Sequence, residues 1–162
     1  MDYVKVQNEI LKLTEKMKDN RYAARCLIDE QEDCIWYVID YYCIRVPKDK
    51  WYLDTDRLCK SNGFKEGKVM DSYLQRLKNT MLRMDKTDKL VSLNKKRYVE
   101  FKGNDVAAYY DEKIIKLFDK DEPVYKIGYP VSKNPMLCIL DKDGANVMGL
   151  ILPVKYPKND KN

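Results

Sequence analysis

The chain has 162 residues, 44% hydrophobic and 35% charged, which is too apolar for a disordered chain and lacks the run of about 18 apolar residues that a membrane-spanning helix requires. It carries 31 basic and 26 acidic residues, a net charge of +5, and no histidine, which removes Ser-His and Cys-His nucleophile pairs and the commonest zinc sites. No enzyme activity, cofactor, metal ion or small-molecule substrate is therefore expected, and a start without a basic-then-apolar leader points to the cytoplasm.

Tyr3, Val6, Ile10, Leu13 and Met17 recur at spacings of three and four and predict a helix from Tyr3 to Asp19. Lys5, Lys12 and Lys16 fall about 120° round that helix from the apolar stripe. From Tyr22 the pattern is strand-like, with Ala24, Cys26 and Ile28 alternating with Arg25 and Asp29. The run Cys34 to Ile39 and the segment Tyr41 to Val46, ended by Pro47, complete an antiparallel meander. Asp54 or Thr55 can cap a short helix that stops at Asn62-Gly63, and Val69, Met70, Tyr73, Leu74, Leu77 and Met81 predict a longer one from Gly67 to Leu82. Leu90 to Leu93 and Arg97 to Phe101 flank Asn94-Lys95-Lys96 as a hairpin. Helix, turn, helix and hairpin in that order is the layout of a winged helix. A helix from Tyr109 to Phe118 follows, with Lys113, Lys116 and Lys120 together on one side. Strands are then expected at Val124 to Ile127, Pro135 to Leu140 and Val147 to Leu152, the last two joined by a turn at Asp143-Gly144.

Five cysteines without CxxC spacing, four of them among apolar neighbours, read as reduced packing residues. The stretch Gly63 to Lys68 is one residue too short between its glycines for a phosphate loop and has Val69 where a metal-binding hydroxyl is needed. Asp141-Lys142-Asp143-Gly144 lacks the further acids of a calcium loop and reads as a turn, and Asp54-Thr55-Asp56 as a helix cap. Charge location says more. Nine basic residues and three acidic ones lie between Arg76 and Lys102, a net of +6 that leaves −1 for the rest of the chain. Such a segment suits phosphate contacts, and it equally suits a solvated lysine-rich surface.

Tyr110 to Ile115, Val124 to Ile127, Asn134 to Ile139 and the closing Val147 to Val154, with its Leu152-Pro153-Val154 end, resemble the last part of a DNA sliding-clamp subunit. The run Trp36 to Tyr42 through Arg45-Val46-Pro47 is similar to the paired strands in the first half of a clamp domain, and the whole is similar to small clamp-like proteins of phages and prophages of Gram-positive bacteria. The resemblance covers residues 1–48 and 97–156. It implies an α+β fold, an antiparallel sheet backed by helices in a DNA-clamp-like domain over 1–156. Residues 50–96 would then be a helix-hairpin insertion resembling a winged helix, and 157–162 a frayed tail.

The resemblance further implies a non-enzymatic protein of DNA replication or a related DNA transaction, binding DNA, a protein client or itself. On it, Lys5, Lys12, Lys16, Lys113, Lys116 and Lys120 would face DNA, and Leu150, Leu152, Pro153 and Val154 would meet the partner. A winged-helix DNA-binding regulator remains open as an alternative, its contacts made by Arg76, Lys78, Arg83, Lys95, Lys96 and Arg97. So does a phage inhibitor that binds a host or defence protein. The strand Val147 to Leu152 is apolar on both faces, and a small hydrophilic domain has little material to cover both, so one face is expected to stay partly open.

Overall fold

The computed structural model describes residues 1–16, 26–39, 41–62, 65–77, 81–129 and 131–155, with the backbone alone for 13–16, 60–62 and 76. Helix α1 (Tyr3–Lys16) begins where Asp2 accepts a hydrogen bond from the Lys5 amide at 3.0 Å, which satisfies an otherwise orphaned N–H. Val6 and Ile10 are buried as the apolar spacing predicts; residues 17–19 lie outside the described residues. Gln7 is also fully buried, and its amide is satisfied by donating to the carbonyls of Tyr3 and Lys50 and accepting from the Tyr52 amide at 2.8 Å. One side chain thus ties α1 to a segment more than 40 residues away.

Strands β1 (Leu27–Glu30), β2 (Cys34–Val38) and β3 (Tyr42–Pro47) form the expected antiparallel meander. Its first strand was expected from Tyr22, and residues 22–25 lie outside the described residues. Helix α2 (Thr55–Asn62) is capped by Asp54, which accepts from the Arg57 amide at 2.9 Å. The two-residue strand β4 (Lys65–Glu66) runs parallel to β1, so the middle of the Gly63 to Lys68 stretch is sheet edge.

The helix expected over 67–82 is shorter: α3 spans Met70–Leu77, and Met81 and Leu82 already belong to β5 (Met81–Leu93). Helical spacing continued into Met81 by coincidence, because Met81 to Met84 alternate and pair with a later strand. Strand β6 (Lys96–Gly103) returns beside β5, and β7 (Val106–Asp111) beside β6.

The helix expected over 109–118 is also shorter. Tyr109 and Tyr110 are strand residues, and α4 is only Glu112–Ile115, continued by tight turns through Phe118 and a 3-10 turn at Asp119–Asp121. Tyr110 is held in the strand by edge-to-face packing on Phe101, with ring centres 5.5 Å apart, and by donating a hydrogen bond to the Pro135 carbonyl at 2.7 Å. Those tertiary contacts outweigh a helical pattern of local origin. Strands β8 (Val124–Gly128), β9 (Leu137–Leu140) and β10 (Val147–Ile151) fall close to expectation. The turn between the last two is built on Asp141, whose carboxylate accepts from the Ala145 amide and the Asn146 side chain, with Gly144 at φ +69°.

All ten strands form one sheet in the order β4-β1-β2-β3-β10-β9-β8-β5-β6-β7, so the α+β architecture of a sheet backed by helices stands. A separate helix-hairpin insertion is not seen. The hairpin strands β5 and β6 are built into the sheet beyond β8, with β5 pairing β8 through Met81 to Met84 and β6 through its remainder. The order of elements also holds a repeat that residue identity does not show. A helix followed by a three-strand meander occurs twice, as α1-β1-β2-β3 and as α4-β8-β9-β10. The third strands of the two units lie antiparallel side by side, so the stretch β1-β2-β3-β10-β9-β8 reads alike from either end.

Period-two alternation buries both faces of this sheet. Ile35, Tyr37, Ile44, Ile127, Ile139 and Ile151 join one cluster with Val6 and Ile10 of α1 and Ile114 and Ile115 of α4. Cys34, Trp36, Cys43, Cys138, Leu140 and Leu150 join a second cluster, closed by Met70 and Leu77 of α3. The missing second layer expected from composition is therefore supplied by α3. Asp29 positions that helix: buried in β1, its Oδ2 accepts from the amides of both Val69 and Met70 at 2.8 Å. Gly149 is needed where β10 passes Phe118, since a Cβ there would lie 2.7 Å from the ring and 3.0 Å from the Cys43 carbonyl.

Candidate functional site

Helices α1 and α4 both pack on the larger cluster, α1 through Val6 and Ile10 and the α4 segment through Ile114, Ile115 and Leu117. The contact is locked at the surface, where Lys113 of α4 donates to Glu9 of α1 at 2.6 Å and Lys12 reaches the same carboxylate at 3.1 Å. Asp111 caps α4 by accepting from the Lys113 amide at 2.9 Å, which fixes where Lys113 and Lys116 emerge.

The tip of the β5-β6 hairpin comes to the same place. Asn94 and Lys95 take φ of 50° and 64°, the left-handed pair that a two-residue hairpin turn uses, so Lys95, Lys96 and Arg97 project together from the tip. Glu112 then joins hairpin to helix, accepting from Arg97 at 3.1 Å and from Lys116 at 2.9 Å. Between these elements is a cleft of about 710 Å³. Its lining includes six basic residues, Lys12, Lys95, Lys96, Arg97, Lys113 and Lys116, against Glu9, Asp111 and Glu112. Tyr41 also lines it, with the Lys96 ammonium 5.8 Å from its ring centre.

The hydrogen bond from Lys113 holds the Glu9 carboxyl below the usual carboxylate range, and that from Lys116 does the same for Glu112. Both acids therefore stay ionised and paired at neutral pH. The lysine ends of these pairs are more than half accessible, whereas the Glu9 and Glu112 side chains are only 20% and 14% exposed. The ammonium groups thus remain open to a further anion while they neutralise the acids beneath them.

The structure divides the predicted basic residues differently from either expected set. Lys12, Lys113 and Lys116 line the cleft, as do Lys95, Lys96 and Arg97 from the alternative set. Lys5 and Lys120 are exposed but do not line it. Arg83 is exposed on β5 beside Asp85 at 3.4 Å, also away from it. Lys78 and the side chains of Lys16 and Arg76 lie outside the described residues. The recognition helix and wing of the alternative reading do not share a face, because α3 closes the second cluster while the hairpin tip meets α1 and α4.

Of the residues expected to meet a partner, Leu150 is buried and Leu152 is 41% exposed; both line a small apolar groove of about 140 Å³ with Cys43, Met70 and Tyr73. Pro153 and Val154 are half-buried, and Val154 donates its amide to the Tyr109 carbonyl at 2.8 Å, which draws the chain leaving β10 back to β7.

A second titratable cluster went unnoticed in the sequence. Glu100 of β6 is buried and accepts from Tyr109 at 2.9 Å, Lys89 at 3.1 Å and Thr87 at 3.2 Å, with Lys102 at 3.3 Å. Burial alone would raise its pKa, but these donors overcome it and bring the carboxyl down to about 2. The register shift in β5 between Lys86 and Leu90 brings Thr87 and Lys89 to this acid, so the network fixes a β-bulge. Among the described residues no group of three or more Cys, Asp or Glu is placed to hold a metal ion, and no helix is long and apolar enough to cross a membrane. Comparison of the chain with protein-family models, with curated proteins and with solved structures finds no match.

Proposed function

We propose that this chain is a non-enzymatic, clamp-like nucleic-acid-binding protein that acts in DNA replication or a related DNA transaction. It holds DNA in the cleft between α1, α4 and the hairpin tip, and it meets a protein client or a second copy through the groove at Leu150 and Leu152. The observation that carries this reading is the convergence of six basic residues from three separate stretches of chain on one cleft. Each cation that replaces a condensed counterion at a phosphate adds affinity through ion release. The doubled unit of one helix and three strands, with both helices packed on one cluster, supports the clamp-like part, since a clamp domain sets two helices against antiparallel strands.

The test is binding of the purified protein to several labelled DNA oligonucleotides of unrelated sequence. Similar affinities that fall together as salt rises support the reading, whereas no binding at low salt contradicts it. The mass of the protein in solution bears on the clamp-like part: a closed ring of several copies supports it, because encircling DNA with one domain per chain requires self-association.

A further inference from the structure

We propose that the nucleic acid held in the cleft is an unpaired strand, stacked on Tyr41 and held by the basic residues of the helices and the hairpin tip. This rests on the nucleic-acid-binding reading and specifies its ligand. The cleft has a volume of about 710 Å³ and an aromatic ring in its lining. Stacking on such a ring requires an unpaired base, because a duplex keeps its base faces covered.

Its cations come in equal number from two regions: Lys12, Lys113 and Lys116 from α1 and the α4 segment, and Lys95, Lys96 and Arg97 from the hairpin tip. Tyr41 supplies what a purely electrostatic surface lacks: it is 38% exposed, while its neighbour Tyr42 is buried and braces it edge to face at 5.0 Å. An exposed, braced ring beside an ammonium is the platform on which proteins stack bases without regard to sequence. The three carboxylates in the lining leave an excess of three positive charges, which limits the site to a few nucleotides.

The experiment is an anisotropy titration of the full chain with labelled oligothymidine, oligouridine and a mixed-sequence duplex. Either single strand should bind at least tenfold more tightly than the duplex, and the ratio of the two single strands identifies DNA or RNA as the source. The slope of log affinity against log salt should be about −2 for the single strand, from about 0.7 per phosphate and three net charges. Tyr41→Ala should weaken single-strand binding about 5- to 150-fold and duplex binding much less, while Tyr41→Trp retains single-strand binding. Circular dichroism of each variant confirms that the fold is kept. Duplex binding equal to or tighter than single-strand binding, or a silent Tyr41→Ala, overturns the inference and leaves the nucleic-acid-binding reading standing. Binding of none of the three overturns both.

Discussion

The two sides of the sheet are closed in different ways. Among the described residues, 24 buried side chains make up the cluster under α1 and α4, and eight make up the cluster under α3. The first side is covered by α1, α2 and α4 and takes in residues of β5 to β7, and its rim carries the basic cleft. The second is covered by one eight-residue helix, and its rim carries the apolar groove at Leu152. A helix this short is not stable alone, so α3 depends on its packing and on Asp29 at its start. The difference teaches that global stability resides on the cleft side, while the groove side is the part of the fold free to open locally.

The largest effect should come from cutting into the first cluster. Phe101 is fully buried and packs edge to face on both Tyr110 and Tyr125, so Phe101→Ala should cost about 3 to 5 kcal/mol in denaturant unfolding. Asp29→Ala should cost less, about 1 to 3 kcal/mol, because it removes two hydrogen bonds to a buried carboxylate. Its signature should be local: amide exchange should accelerate in α3 far more than in β8 or β9. Equal acceleration everywhere would mean that the two sides are not independently stable.

A third, smaller effect belongs to Glu100 and depends on pH. Its carboxyl is brought from an unfolded value of about 4.3 down to about 2, so its stabilisation is complete above pH 5 or so and is lost as pH falls toward 2. Glu100→Gln should flatten the loss of stability over that acid range and leave the cleft's charge unchanged. An unaltered acid profile would show that the network around Glu100 does not form in solution.

Much of the sheet is legible in the sequence because its signals are local. The alternation in Cys34 to Val38 separates Cys34 and Trp36 from Ile35 and Tyr37, and the structure sends those pairs to opposite faces. The Asp54 cap and the turn at Gly144 carry their own short-range chemistry. The four cysteines among apolar neighbours are all buried, with Cys59 half-buried.

What was misread or missed depends on long-range contact. Tyr110 fits a helical stripe with Ile114, and only its packing on Phe101 and its bond to Pro135 decide for strand. Asp29, Gln7 and Glu100 are polar residues that sequence reading places at the surface, yet each is buried because its partners lie elsewhere in the chain. The cleft itself combines half of one expected basic set with half of the other, since nothing local indicates that the Asn94-Lys95 turn meets α4 through Arg97 and Glu112. Tyr41 carries no such local signal, since it precedes β3 and its exposure depends on where Tyr42 and the hairpin tip pack around it.

The most direct test sets the cleft against the remaining surface at equal change of charge. One variant carries Lys12→Glu, Lys96→Glu and Lys116→Glu, all in the cleft, and the other carries Lys5→Glu, Arg83→Glu and Lys120→Glu, all exposed outside it. Lys12, Lys116 and Arg83 each leave a carboxylate on reversal, so thermal unfolding of both variants is measured first and binding is compared between folded proteins. The measurement is nucleic-acid affinity as a function of salt. The cleft variant should lose binding and its salt dependence, with the outside variant retaining most of both; equal losses, or a larger loss in the outside variant, would contradict the assignment of the cleft as the nucleic-acid site.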